Sequence, residues 1–428
     1  MKRIAHVVLT FILFCFESIH ASIFSFMGRA GLIALASPNT LTNLIPTLYA
    51  AADIVSREQV GFIPAVTRDS KIDRVALNQT VNVPVVGAIT PVSITPGAYA
   101  PDSGGATPGN VTVTISNQYA APIAWNGDEQ VATSQTGIYD NIVTQRFAQA
   151  MRAITNLVET DLAALHVKAS RAYGAGVTTQ PFGTAADLSD MAQVIKILED
   201  NGAPSTDMRA VLSSSAIANI RGKQSALFKV NEAGTDLMLR RGIIGDIFGV
   251  GLGQSAQVKQ AVTAGTMANA TTNAAGYAVG ATVITLATAG TGVAIAGDIV
   301  TVTGDATNHY VIKSVVFAGA NPAAGDTITL QEPGLRQAIP AGATALTLLA
   351  ATDRNMVFSK SAIVLATRSP YMPEGGDDAD DMMDIVDPVS GLSFQVAMYR
   401  QYRQVHFEVG LAWGVQMIAP RHTAILYG

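Results

Sequence analysis

Between Ile138 and Val167 apolar side chains recur at Val143, Phe147, Met151, Ile154, Val158, Leu162 and Leu165, three or four residues apart. That spacing draws one stripe along a helix of 3.6 residues per turn, so the stretch predicts a single amphipathic spine, about 45 Å long at 1.5 Å per residue. In SPNTLTNLIPTLYAAADIVSRE, Leu41, Leu44, Ile45, Leu48, Ala52 and Val55 share a helical face, and Pro46 suits the first turn of a second stretch. This predicts a short helical arm. In DLSDMAQVIKILEDNG, Leu188, Met191, Ile195 and Leu198 face inward, with Asp187 as N-cap and Asn201-Gly202 as the stop. Beyond Pro204, MRAVLS reads as a buried strand and SSAIANIRG as another short helix, an alternation that indicates an α/β layer.

Period-two patterns fill the rest. Val111, Val113 and Ile115 alternate with Thr112, Thr114 and Ser116, as on a half-exposed strand. The surrounding stretch from Gly61 to Trp125 carries Pro84, Pro91, Pro96, Pro101, Pro108 and Pro122, which keep strands at edges and discourage wrong pairing; it predicts an extended β arm with little core of its own. From Val262 to Leu349 the chain is almost entirely Ala, Gly, Thr, Val and Ile. Strand pieces at Val283 to Leu286, Ile299 to Val302, Tyr310 to Val316 and Thr327 to Leu330 are separated by Gly-Asp and Asn-Pro turns. That is the pattern of a small all-β domain inserted into an exposed loop of an α/β body. In the closing segment a turn at Asp387 to Gly391 precedes Leu392, Phe394, Val396 and Met398, which alternate with Ser393, Gln395, Ala397 and Tyr399; long strands end the chain.

Composition narrows the function classes. Hydrophobic residues make up 49% of the 428 and charged residues 14%, against roughly 25% charged in ordinary soluble domains. Such sparse charge suggests faces buried against other subunits. A net charge of -5 argues against a chain that grips nucleic acid by neutralising phosphates. Cys15 is the only cysteine, so the body has neither an internal disulfide nor a thiol for catalysis. The sequons at Asn78, Asn110 and Asn269 are expected by chance in a chain rich in Asn and Thr. The first residues, MKRIAHVVLTFILFCFESIHAS, place Lys2 and Arg3 before an apolar run from Ile4 to Phe16 and a small residue after His20. The run is too short to span a bilayer but has the pattern of a secretory leader.

No group of residues assembles an active site. Glu374, Asp377, Asp378, Asp380, Asp381, Asp384 and Asp387 lack the alternate-oxygen spacing, central glycine and terminal Glu of a calcium loop, and read as a solvated loop. Gly249, Gly251 and Gly253 do not match GxGxxG and read as a turn beside an apolar strand. His166 ends the spine, His309 lies in a predicted β turn, and His422 lies near the C-terminus. His406 and Glu408 share a strand face, a pair read as structural. Ser213, Ser214 and Ser215 stand between a strand and a helix without nucleophile-elbow glycines, so capping is expected. The expectation is no catalytic, cofactor-binding or metal site.

Two stretches carry a resemblance: NTLTNLIPTLYAAADIVSREQVGFIPAVTRD at the start of the body, and the last 78 residues or so, ATDRNMVFSK through MIAPRHTAILYG. They resemble the major capsid (coat) proteins of short-tailed bacteriophages, over Asn39 to Gly428 and least in the Ala/Thr-rich region. The resemblance implies an α+β tailed-phage capsid fold: N-terminal arm, extended β loop, peripheral domain with the spine helix, axial α/β domain, and an all-β insertion. On this chain it divides as 1–35 leader-like, 36–60 arm, 61–130 extended loop, 131–182 peripheral domain, 183–260 axial domain, 261–350 insertion, and 351–428 return through axial and peripheral domains. It implies a structural protein, not an enzyme, that self-assembles as hexamers and pentamers into an icosahedral shell in the bacterial cytoplasm. Its partners are then itself, a scaffolding protein, a portal, and packaged double-stranded DNA held by weak non-specific contact, with no membrane and no cofactor. Members of the family begin close to NTLTNL, so the leader-like segment is expected to reflect a start assigned too far upstream, with initiation nearer Met27 or around Leu35. The alternative is a secreted or surface β-rich binding protein exported by that segment.

Overall fold

The computed structural model describes residues 47–52, 61–85, 109–134, 139–174, 176, 179–224, 245–258, 262–371, 378–387 and 391–428. The leader-like stretch and most of the helical arm lie outside these residues; of the arm, Leu48, Ala51 and Ala52 are helical and buried.

Strands β1 (Thr67–Val75), β2 (Thr80–Val85), β3 (Gly109–Thr114) and β4 (Asn117–Asn126) lead into helices α1 (Gly127–Ser134) and α2 (Tyr139–Ala164). Next come β5 (Arg171–Tyr173), α3 (Ser189–Asp200), β6 (Met208–Leu212), α4 (Ser214–Lys223), β7 (Asp246–Ile247) and β8 (Val250–Gln254). The Ala- and Thr-rich region supplies β9 (Ala270–Thr271), β10 (Val283–Thr285), β11 (Ile299–Val302), β12 (Asp305–Val316), β13 (Thr327–Leu330) and β14 (Ala345–Leu348). The chain closes with β15 (Arg354–Ser359), β16 (Ile363–Pro370), β17 (Asp381–Val386), β18 (Ser393–Gln401), β19 (Gln404–Met417) and β20 (Thr423–Tyr427). The architecture is α+β.

One sheet has the order β1-β16-β19-β18-β17, with β4 along the opposite edge of β19. The expected arm with little core therefore divides. β2 and β3 form a separate two-stranded ribbon, whereas β1 and β4 enter the six-stranded sheet. Pro122 fits because β4 is bonded on one side only among the described strands, so its missing N–H interrupts no second ladder. Val113 and Ile115 are buried while Thr112, Thr114 and Ser116 are exposed, as the alternation predicts.

Against this sheet lies α2. All seven residues of its predicted stripe are buried, and Phe147 meets Phe407 of β19 edge-on at 5.5 Å. The regular helix stops at Ala164 and tightens into a 3-10 turn over Leu165–Lys168, slightly short of the expected span. Three consecutive polar residues leave the helix toward different neighbours. Glu159, only 1% exposed, accepts the backbone N–H groups of Phe62 (2.9 Å) and Ile63 (2.9 Å) and the hydroxyl of Ser255 (2.7 Å). The Thr160 hydroxyl donates to the Asn156 carbonyl oxygen (2.8 Å) and meets the Gln257 side-chain amide at 2.9 Å, and Asp161 Oδ2 accepts from Asn117 of β4 (2.6 Å) and from the indole of Trp413 in β19 (2.7 Å). Gly61 makes the Glu159 contact possible: a Cβ there would lie 2.6 Å from the carbonyl oxygen of Gln254.

The second sheet runs β7-β8-β6-β15-β20-β5 and continues through β12-β11-β14-β9, with β13 on β12 and β10 on β13. Helices α3 and α4 cover its first part, with Met191, Val194, Leu198 and Ile220 in one core with Ala210, Val357 and Leu426. Asp187 sits one residue before the structural N-cap Leu188, yet its carboxylate still takes the Ser189 N–H at 2.8 Å. A second core, including Ile284, Val300, Tyr310, Ile312, Ile328 and Leu346, lies within the Ala- and Thr-rich region. Among the described residues the two parts of the sheet are bonded through two residue pairs, His309 with Ala172 and Tyr310 with Arg171. His309 thus lies in a strand, not a turn.

Replacing Glu159 by Ala strands two N–H groups and a hydroxyl, each loss costing about 1–3 kcal/mol, so denaturant unfolding of Glu159→Ala should show a loss of about 3 kcal/mol or more. Burial raises the Glu159 pKa above 4.5, opposed by its hydrogen bonds. The folded chain therefore holds this proton more tightly than the unfolded chain. The resulting stabilisation is fully present below pH 4.5 and fades as pH climbs through the raised folded value. Subtracting the stability–pH curve of Glu159→Gln from that of the parent should isolate that decline.

Candidate functional site

The residues singled out for chemistry are placed apart. Ser213 is the N-cap of α4, its Oγ accepting the Ala216 N–H at 3.3 Å, while Ser215 donates to Asp353 at 3.2 Å. Gly249 turns the β7–β8 hairpin with φ +77°, and Gly251 and Gly253 continue into β8. His406 and Glu408 share a face of β19, opposite Tyr399 and Ala397 of β18. His422 ends a 3-10 turn, where burial pushes its pKa down. Glu374 and Asp377 lie outside the described residues. The rest of the acidic run departs from the expected loop: Asp381–Val386 is the strand β17, because Met383 and Ile385 pair across to Val396 and Phe394. Asp380 pairs with Arg400 at 3.2 Å, Asp384 accepts from Ser369 at 2.8 Å, and Asp387 is buried. Among the described residues no group of three or more His, Cys, Asp or Glu is placed to hold a metal ion, and no helix is long and apolar enough to cross a membrane.

Buried ionisable groups cluster instead where the two parts of the second sheet meet. Arg171, 3% exposed, donates to Asn308 (3.0 Å) and pairs with Asp200 of α3 (3.4 Å). Tyr427 shares a hydrogen bond with His309 Nδ1 (2.7 Å), and burial pushes the phenol up to about 12. Tyr310 donates to Asp305 (2.5 Å) and accepts the Arg336 N–H (2.9 Å); burial and that carboxylate raise its pKa further. These contacts weld strands together.

What the sequence reading misses is on the surface. Phe248 is 62% exposed at the tip of the β7–β8 hairpin with φ +52°, a left-handed conformation that costs a bulky residue about 1 kcal/mol or more. Tyr402 is 90% exposed at the tip of β18–β19, next to Arg403 with φ +59°. Both stand in two-residue turns between paired strands, where Asn and Gly are usual. An aromatic in that place is the signal that was available. A groove of about 630 Å³ also runs between β4, at Ala121–Ala124, and α2, with Arg146 laid 4.2 Å over the Trp125 ring at its side.

No family model and no curated protein matches the sequence. Among solved structures the fold is similar to the capsid of the cyanophage P-SCSP1u (11% identity, TM-score 0.42, 85% of this chain and 86% of that one). It is also similar to the mature capsid of bacteriophage PhiM1 (12%, 0.42, 86% and 86%) and to a virus-like particle from Pyrococcus furiosus (8%, 0.38, 89% and 97%).

A capping role for Ser213 predicts that Ser213→Ala lowers thermal stability by about 1 kcal/mol. It also predicts that a fluorophosphonate probe leaves the parent protein unlabelled. Covalent labelling at Ser213 in a mass spectrum would assign it a nucleophile's role instead.

Proposed function

We propose that this chain is the major coat protein of a bacteriophage, a structural subunit that assembles with copies of itself into an icosahedral shell around packaged double-stranded DNA. One observation carries the reading. The two stretches that hold the family resemblance lie at opposite ends of the body, and the fold joins the end of the first to the second: Thr67, Arg68 and Asp69 of β1 run parallel to Val364, Leu365 and Ala366 of β16. Arg368 fastens the pair by donating to the Asp69 carbonyl oxygen and carboxylate, the latter at 3.0 Å. Residues that resemble one family thus build one substructure, next to a long helix and a separate β ribbon of the kind that family implies.

The division into arm, extended loop, peripheral, axial and inserted domains follows from the same reading, as do a scaffolding protein, a portal and weakly held DNA as partners. Assembly is the mechanism. Edge strands and exposed apolar tips are poorly covered in one subunit and are completed by neighbours, and many weak contacts add up.

The chain produced in a bacterial cytoplasm with a scaffolding protein should sediment as large particles and appear as closed shells by electron microscopy; monomers under all such conditions overturn the proposal. Phe248→Asn and Tyr402→Ser should cut particle yield about tenfold, the loss of one contact of about 1.4 kcal/mol. Neither should lower the subunit's unfolding midpoint, and Phe248→Asn should raise it by relieving the left-handed Phe.

A further inference from the structure

Strands β17, β18, β19 and β4 lie side by side as a four-stranded antiparallel run, and among the described residues neither β17 nor β4 is bonded to a further strand. The Asp387 N–H donates to the Leu392 carbonyl oxygen in line with the β17–β18 register. Asp381, Met383 and Ile385 therefore turn their backbone groups toward β18, and Met382, Asp384 and Val386 turn theirs outward. On β4, Arg146 of α2 reaches the Ala124 carbonyl oxygen from outside at 3.2 Å, so Ala120, Pro122 and Ala124 form the outward set. Asp381, Met398, Phe407 and Ile123 stand in one row across the strands, on the face where Phe407 meets Phe147 of α2. The side chains of both outward sets lie on the other face.

Because the run has four strands, an even number, a copy displaced sideways in the plane of the sheet brings its β17 to this β4 in the antiparallel sense. Outward backbone groups then meet outward backbone groups, with side chains on matching faces; three or five strands would bring the edges together parallel. The groove of about 630 Å³ between β4 and α2 opens beside that edge, and its charged lining is Arg146 and Arg152. The opposite edge has the opposite sign: β17 carries Asp381 and Asp384, and no Lys or Arg stands between Arg368 and Arg400.

We propose that β17 of one copy of this chain adds to β4 of the next, with Asp384 opposite Pro122, so that the sheet continues from subunit to subunit; the inference rests on the coat-protein reading above. In this register Val386 exchanges both backbone bonds with Ala120, the Asp384 N–H donates to the Pro122 carbonyl, and the Ala124 N–H donates to the Met382 carbonyl. The groups left over at that end are already engaged, the Met382 N–H with the Asp381 carboxylate (2.9 Å) and the Ala124 carbonyl with Arg146 (3.2 Å). A slip of two residues sets one of these engaged groups against an unengaged one, either Asp384 N–H against Ala124 or Met382 against the Pro122 carbonyl. On the α2 side the neighbour's half-buried Met383 comes to Ile123 in the wall of the groove. The neighbour's Asp381 comes to Trp125, where the Arg146 guanidinium lies 4.2 Å over the ring. The contact joins two different patches, so it repeats head to tail and closes into a ring when the rotation between copies does.

The test starts from the full chain carrying Cys15→Ser, which removes its only cysteine. Ala120→Cys and Val386→Cys are added together, both at exposed positions where a cysteine disturbs no packing within the subunit. Assembled particles are treated with a short bismaleimide and run on a denaturing gel. A ladder of cross-linked chains extending past the dimer is expected, and either cysteine alone should give none. Particles that form but yield no ladder, or a product that stops at the dimer, overturn the edge pairing and leave the coat-protein reading standing; chains that never associate overturn both. Asp381→Arg should cut particle yield about tenfold, and adding Arg146→Asp should restore it. Assembly of Asp381→Arg at the parent's yield overturns the register.

Discussion

A carboxylate on the buried side of a long helix holds this molecule's layers in place. Glu159 gathers the N–H groups of Phe62 and Ile63 and the hydroxyl of Ser255, so one side chain fixes the point where the chain enters the body and the end of β8. Its removal from water raises its pKa, which shows that the hydrogen bonds do not fully offset the desolvation. Specificity is what the arrangement gains: an apolar residue in its place would pack but would not tell the backbone of residues 61–63 where to stop. With Asp161 tied to Trp413 two residues on, the helix sets the spacing between both sheets through hydrogen bonds that tolerate little displacement.

The Ala- and Thr-rich region is attached by a narrower junction. It has its own apolar core, so its internal stability need not come from the rest of the chain. Two ladder pairs, the Arg171 contacts and the Tyr427–His309 hydrogen bond hold it to the α/β layer. The exposed Arg421–Glu332 pair, at 2.8 Å with both side chains more than half exposed, adds little because water screens it. The buried polar contacts work together with an apolar cluster across the same junction, in which Ala172 and Ile425 pack with Ile299 and Val311. Three Gly-Asp turns inside the region show how it remains foldable with so few charges. Asp298, Asp305 and Asp326 are each at most 5% exposed, and each accepts local hydrogen bonds that close its turn.

The long helix is legible in the sequence because its stripe is continuous, and strands Ile299–Val302 and Thr327–Leu330 because β-branched runs end at glycine turns. Local period says nothing about partners, however. That β1 pairs with β16, almost three hundred residues away, follows from how the whole body closes. The acidic run misleads for a related reason: charge density suggests a loop, but Met383 and Ile385 supply a face that pairs with β18. Glu159 is invisible at the sequence level, since a Glu flanking an apolar stripe on an amphipathic helix normally points to water.

Strand edges and turn tips carry opposite surface economies in this chain. A sheet edge without a partner invites indiscriminate pairing, and prolines such as Pro122 on β4 restrict which partners fit. The exposed aromatics work in the opposite sense. Phe248 occupies a turn where its own backbone is strained and most of its ring meets water. The chain by itself bears both penalties, and a surface that covered the ring would remove the larger of them without any change in the turn. On the proposed reading each such contact is small, which would let misplaced subunits leave, while repetition around a closed shell would make the finished assembly durable. Weak, geometrically selective edges and tips are what the proposed reading as a repeated subunit requires.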